Sequence, residues 1–128
     1  MEKFNKVVLY TDADGRAKFR DEYIDLFDST PNVMLSKLAS SSGYQIRLSP
    51  VGFQSNFHCT PVCQFVFILS GVMEIGLQDG TSRKFGPGEH FYSSDKLPDG
   101  VLFDPNIHGH WSCQHGSDPL ITLFLRSD

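Results

Sequence analysis

Residues 64–95 read QFVFILSGVMEIGLQDGTSRKFGPGEHFYSSD. Four short runs, QFVFILS, VMEIGLQ, TSRKF and EHFYSS, follow one another with only turn residues between them. Each is short for a helix and of ordinary length for a strand. Asp79-Gly80 is the tight-hairpin signal between the second and third runs, a turn that asks for positive φ at adjacent positions. Gly-Pro-Gly at 86–88 breaks the next pair. The stretch is therefore a strand meander, and it points to an all-β chain.

Working outward, KVVLYT, VMLSKLA, YQIRLS, HWSCQ and LITLFLR have the same form. Together they give about nine strands, the pattern of a β-sandwich or barrel. DEYIDLF at 21–27 is read as an irregular segment capping the barrel rather than as a helical turn, and SSSG at 40–43 as a flexible turn rather than a linker. There are no internal repeats. DKLPDGVLFDPNIHG, residues 95–109, is the longest stretch without a clear period. Long loops in compact β domains are usually functional, so this one is read as a lid on a pocket or as a hairpin extension used in dimerisation.

A chain of 128 residues fits a single domain over 1–128, with N-terminal strands and a cap in 1–43 and the barrel core in 44–128. A 40% hydrophobic fraction with 11 Phe supplies a core and argues against disorder. The net charge of −4, with no basic stripe, argues against nucleic acid as a partner. No apolar run is long enough to span a bilayer and the first residues lack a signal-peptide core, so a cytoplasmic protein with no membrane partner is expected. Cys59, Cys63 and Cys113 are an odd count without a secretory signal and are read as free thiols. A zinc site from Cys59, Cys63 and a histidine would have loose spacing and no second pair.

Side chains alternate faces along a strand, so His58, Thr60 and Gln64 share one face, as do His108, His110, Ser112 and Gln114 if that segment is extended throughout. Two such strands side by side would bring His58, Gln64 and His110 to one interior point. A divalent metal takes three or more donors of this kind, and imidazole suits Fe, Zn, Ni or Cu. Without a carboxylate the set is neutral and holds a cation less tightly. The competing structural reading makes Gln64 and His58 hydrogen-bond partners inside the barrel. His90 and Tyr92 share another face. No Gly-x-Ser-x-Gly elbow or phosphate-binding glycine loop is present.

The run 64–95 followed by GHWS resembles a small single-domain cupin, a double-stranded β-helix or jelly-roll barrel. Gln64 stands where the first cupin motif has its Glu, with residues 65–70 leading to Gly71. The spacer 61–63 then aligns His58 with the first motif histidine and Thr60 with the second. HCTPVCQ at 58–64 and DADGRAKFRDEYIDL near the start also resemble segments of this group. Gly-Pro-Gly at 86–88 and His110, with His108 as the competing choice, match the second motif. The stretch 96–107 is longer than in such barrels and implies a specialised pocket. The resemblance implies a protein that binds, and transforms, a small organic molecule inside the barrel by isomerase, cyclase, lyase or dioxygenase chemistry. The alternative is a non-catalytic ligand-binding or sensing module. His58, Gln64 and His110 are the expected catalytic residues and ligands of any Fe, Zn, Mn or Ni ion. Thr60, Val66, Tyr92, His108 and Trp111 are the expected substrate contacts, and a homodimer is the expected assembly.

Overall fold

The structure, a computed structural model, describes residues 2–29 and 31–128. The described residues form ten strands and no helix, so no helix is long and apolar enough to cross a membrane. The all-β expectation holds. Strands β1 (Glu2–Thr11) and β2 (Ala17–Ser29) form one long antiparallel hairpin, in register from Glu2↔Leu26 to Thr11↔Ala17. This corrects the reading of 21–27 as irregular. Glu22, Ile24 and Leu26 are half-buried while Asp21, Tyr23 and Asp25 are exposed, which is the period-two alternation of a strand. Of VMLSKLA only Val33–Leu35 is strand (β3), paired to the end of β2.

The remaining strands are β4 (Gly43–Ser49), β5 (Gln64–Ser70), β6 (Val72–Gly76), β7 (Ser82–Phe85), β8 (His90–Ser94), β9 (Trp111–His115) and β10 (Leu120–Arg126). They assemble into a seven-stranded sheet ordered β3-β2-β1-β8-β5-β10-β4 and a three-stranded sheet ordered β7-β6-β9. Every pairing is antiparallel except β1 with β8. Residues outside the strands extend the small sheet through two bridges, Gln54↔Cys113 and His58↔His110. This two-sheet arrangement is compatible with a jelly roll, and the sheets do not close into one continuous barrel.

The Asp79-Gly80 hairpin joins β6 and β7 as expected, but by a different turn. Only Gly80 has positive φ (87°), Gly80 N–H donates to the Leu77 carbonyl at 3.2 Å, and Leu77 N–H donates to the Thr81 carbonyl at 2.9 Å. That is the three-residue loop, a type I turn followed by a left-handed glycine, rather than a turn with two adjacent positive φ values. The β1–β2 hairpin repeats it at Asp14-Gly15, where Gly15 has φ 84° and donates to the Asp12 carbonyl at 2.9 Å.

Alternation sorts the large sheet into two faces. Val66 and Ile68 point inward with Leu9 and Phe91 to meet Met73, Ile75 and Phe85 of the small sheet, and these buried side chains make the core. Phe65, Phe67 and Leu69 point outward on β5. Their cross-strand neighbours Leu123 and Leu125 on β10, and Ile46 and Tyr44 on β4, extend that outer face.

Candidate functional site

The strands that form the core also frame a cavity of about 490 Å³ between the two sheets. Its inner wall is apolar, formed by Val66, Met73, Ile75, Phe91 and Phe124, and its polar end carries His58, Thr60, Gln64, Ser93 and His110. A small-molecule site usually occupies ~300 to 1,000 Å³ and pairs an apolar wall with a few convergent polar groups. This cavity matches on both counts.

His58 and His110 are brought together by backbone pairing. His58 N–H donates to the His110 carbonyl at 2.9 Å, and His110 N–H donates to the His58 carbonyl at 3.0 Å. The imidazole centroids then lie 4.6 Å apart. Gly109 permits this approach, because a Cβ there would fall 2.5 Å from the His58 carbonyl oxygen and its φ of +85° is left-handed. The same positive φ ends the alternation on its N-terminal side. His110, Ser112 and Gln114 remain on one inner face, while His108 leaves it.

Each ring has its Nδ1 occupied. His110 Nδ1 lies 2.8 Å from Asp95 Oδ2, and both side chains are almost fully buried. As a carboxylate Asp95 only accepts, so His110 Nδ1 carries the hydrogen, and in the neutral ring Nε2 keeps a lone pair. Thr11 Oγ1 donates to the other carboxylate oxygen, Oδ1, at 2.6 Å. The Asp95 carbonyl accepts from Thr60 N–H at 2.7 Å, and Thr60 Oγ1 is hydrogen-bonded to Ser93 Oγ. His58 Nδ1 lies 2.9 Å from the Asn56 carbonyl, which sets the same tautomer. Burial in the surrounding protein pushes the His58 pKa below its usual value, and the nearby His110 and Arg47 add to the shift against the opposing Asn56 hydrogen bond and Asp95 charge. His58 is thus held as neutral imidazole near neutral pH.

Gln64 lines the cavity at the start of β5, opposite Ser93 on β8 and Arg126 on β10. The structure therefore gathers His58, Thr60, Gln64, Val66 and His110 around one space. It does not bring Tyr92, His108 or Trp111 to it. Tyr92 points to the opposite face of β8, where its hydroxyl donates to the Ser127 carbonyl at 2.6 Å and burial holds its pKa up at about 12. His108 is buried beside the β1–β2 turn, its Nδ1 accepting from Asp104 N–H at 2.9 Å. The Trp111 indole lies over Gly76 and borders a separate surface hollow with Phe57 and Phe103. The 95–109 segment borders that hollow rather than covering the histidines, and Leu102 at its tip is exposed.

Asp95, Thr11, Ser93, Arg47 and Arg126 are polar site residues that sequence reading missed. Parity along β8 places Asp95 on the same face as Phe91 and Ser93, so one signal was present, but its pairing with His110 depends on which strands become neighbours. Burial, with a smaller push from Asp95, raises the Cys59 thiol to about 11, so it stays protonated and is a poor nucleophile.

Among the described residues no group of three or more His, Cys, Asp or Glu side chains could share a metal ion. The donors at hand are two imidazoles and one amide, all neutral, beside Arg47 and Arg126. Without a carboxylate among them, these donors would hold a divalent cation less tightly than a charged set. No protein-family model matches the chain, and no curated protein sequence does so either.

Proposed function

We propose that this chain is a cupin-type protein that binds a small organic molecule in the cavity between its sheets and moves a proton on it. The observation that supports this best is the buried Thr11–Asp95–His110 chain, which leaves one imidazole nitrogen as a base at the polar end of an apolar cavity. Such a base acts on a hydrogen beside a carbonyl. His110 Nε2 takes the proton, Asp95 stabilises the resulting imidazolium, and the Gln64 amide N–H donates to the oxygen where negative charge gathers. Returning the proton to the same carbon gives exchange, and returning it to the conjugated position gives isomerisation. In both cases the electrons balance without an oxidant. His58, held neutral, is the acid–base partner at the cavity mouth.

The test is hydrogen exchange in D₂O, followed by NMR over a panel of ketones and keto acids. Deuterium incorporation faster than in buffer is expected, falling about 10²-fold or more in His110→Ala with ligand binding retained. Unchanged exchange in that variant overturns the assignment. Binding of panel members with no exchange by the native protein establishes the non-catalytic binding module instead.

We also propose that a second copy of the chain covers the outer face of the large sheet. Tyr44, Ile46, Leu48 and Leu69 are each more than half exposed there. These four alone present roughly 500 Å² of mostly apolar surface, at the upper end of what a monomer leaves uncovered. With the half-buried Ile121, Leu123 and Leu125 beside them the patch supplies most, though not all, of the ~800 Å² per partner of a standard interface.

A further inference from the structure

The charge of the cavity wall runs against the charge of the chain. The chain carries a net −4 at pH 7, yet the lining includes Arg47 and Arg126, and the Asp95 carboxylate nearest to it is engaged behind His110 and Thr11. Neither arginine is in any of the ion pairs formed among the described residues, which engage Lys18, Arg20, His110 and His115. Both belong to neighbouring strands of the large sheet, Arg47 on β4 opposite Thr122 and Arg126 on β10 opposite Gln64. Alternation turns them to the same face as the buried Thr122 and Val66, where both stand exposed at the cavity's open side.

Arg47 is also held in place. Its guanidinium carbon sits 4.8 Å over the Phe53 ring and 5.8 Å from the Phe124 ring. Stacking on aromatic faces uses the flat of the guanidinium and leaves its edge, where the N–H donors lie, free for a planar acceptor. A positive wall with an apolar floor has a chemical complement. We propose that the ligand of this cavity is a small carboxylate with an apolar body, its carboxylate taken by Arg47 at the mouth with Arg126 adding to the attractive field. Its body lies on Met73, Ile75 and Phe91 and presents a carbon to His110. The two arginines then serve recognition, while His110 and Gln64 serve the proton transfer proposed above, on whose placement of the site this inference rests.

Carboxylate recognition is tested by binding alone, which separates it from the chemistry. ¹H–¹⁵N NMR titrations of the full chain would use phenylacetate and hexanoate beside phenylacetamide and hexanamide, with inorganic phosphate as the competing anion. The acids are expected to shift resonances around Arg47, His58 and Phe124, and to bind roughly tenfold or more tightly than the matched amides, the advantage of a charge-assisted pair. Their affinity should fall as salt is raised. Arg47→Met keeps an apolar stem on Phe53 and should lose that advantage, Arg47→Lys should restore part of it, and Arg126→Met should reduce it less. Equal binding of acids and amides overturns the proposal, as does an unchanged acid affinity in a folded Arg47→Met variant. Phosphate binding in preference to both acids overturns it too, as does the absence of any acid-induced shift at ~10 mM, above the Kd of even a weak millimolar site. Acid binding without deuterium exchange leaves the carboxylate site standing and removes only the proton-transfer reading. Exchange confined to neutral ketones does the reverse.

Discussion

Among the described residues, His90 Nε2 is the buried side-chain atom left without a hydrogen-bond partner. The ring is stacked on Phe4 at 5.0 Å between centroids, with Phe67 at 5.7 Å and Phe65 at 6.1 Å. Burial lowers its pKa, and Lys6 and Arg83 push the same way. His58 is lowered as well, again chiefly by burial. For both groups the unfolded chain binds a proton near the ordinary value of 6.5 while the folded chain binds it only at lower pH. Stability is therefore full above that value and falls as pH drops through the window below it. His90→Phe should flatten this acid slope and raise stability by about 1 kcal/mol by removing the unsatisfied nitrogen. Urea unfolding between pH 8 and pH 5 checks both, and an unaltered slope would count against the assignment. At this scale sequence parity found His58, Gln64 and His110. It could not find Asp95, whose meaning lies in the imidazole it touches, nor separate His108 from His110, because that depends on the single left-handed residue between them.

At the scale of elements, the bridge between His58 and His110 is the part most exposed to mutation. Gly109→Ala places a methyl carbon against the His58 carbonyl in a left-handed conformation and should cost about 2 kcal/mol or more. Gly80→Ala meets open space at a similar φ of +87° and should cost only about 1 kcal/mol. Thermal unfolding of the two variants tests the difference, and only Gly109→Ala should move the histidine ring resonances. Comparable losses, with those resonances intact, would mean that the close approach does not position the site. The Asp-Gly pair at 79–80 announced its hairpin because plainly strand-like runs flank it. The same pair at 14–15 makes the same turn, yet it announces none, because Asp, Glu and Arg dilute the alternation of β2. That strand follows from its register with β1, a partner-supplied stability that local propensity does not record.

For the whole molecule, the outer sheet face is where the proposed second copy would sit. Light scattering at ~100 μM should give a dimer, a concentration well above the Kd of stable pairs. Leu48→Glu should give a folded monomer that still binds ligand. A native monomer at that concentration would remove the second-copy proposal. Composition and strand count made an all-β chain legible, but the sheet order was not, because the parallel pairing of β1 with β8 joins segments far apart in sequence. That pairing reaches into the site. The hydrogen bond from Thr11 to Asp95 spans 84 positions of the chain. A molecule whose first hairpin has not docked lacks the hydroxyl that steadies its buried carboxylate. If His110 is the base proposed above, a clip that loosens the N-terminal hairpin removes the hydroxyl from its carboxylate, so an event at the start of the chain would be felt as lost deuterium exchange in the cavity.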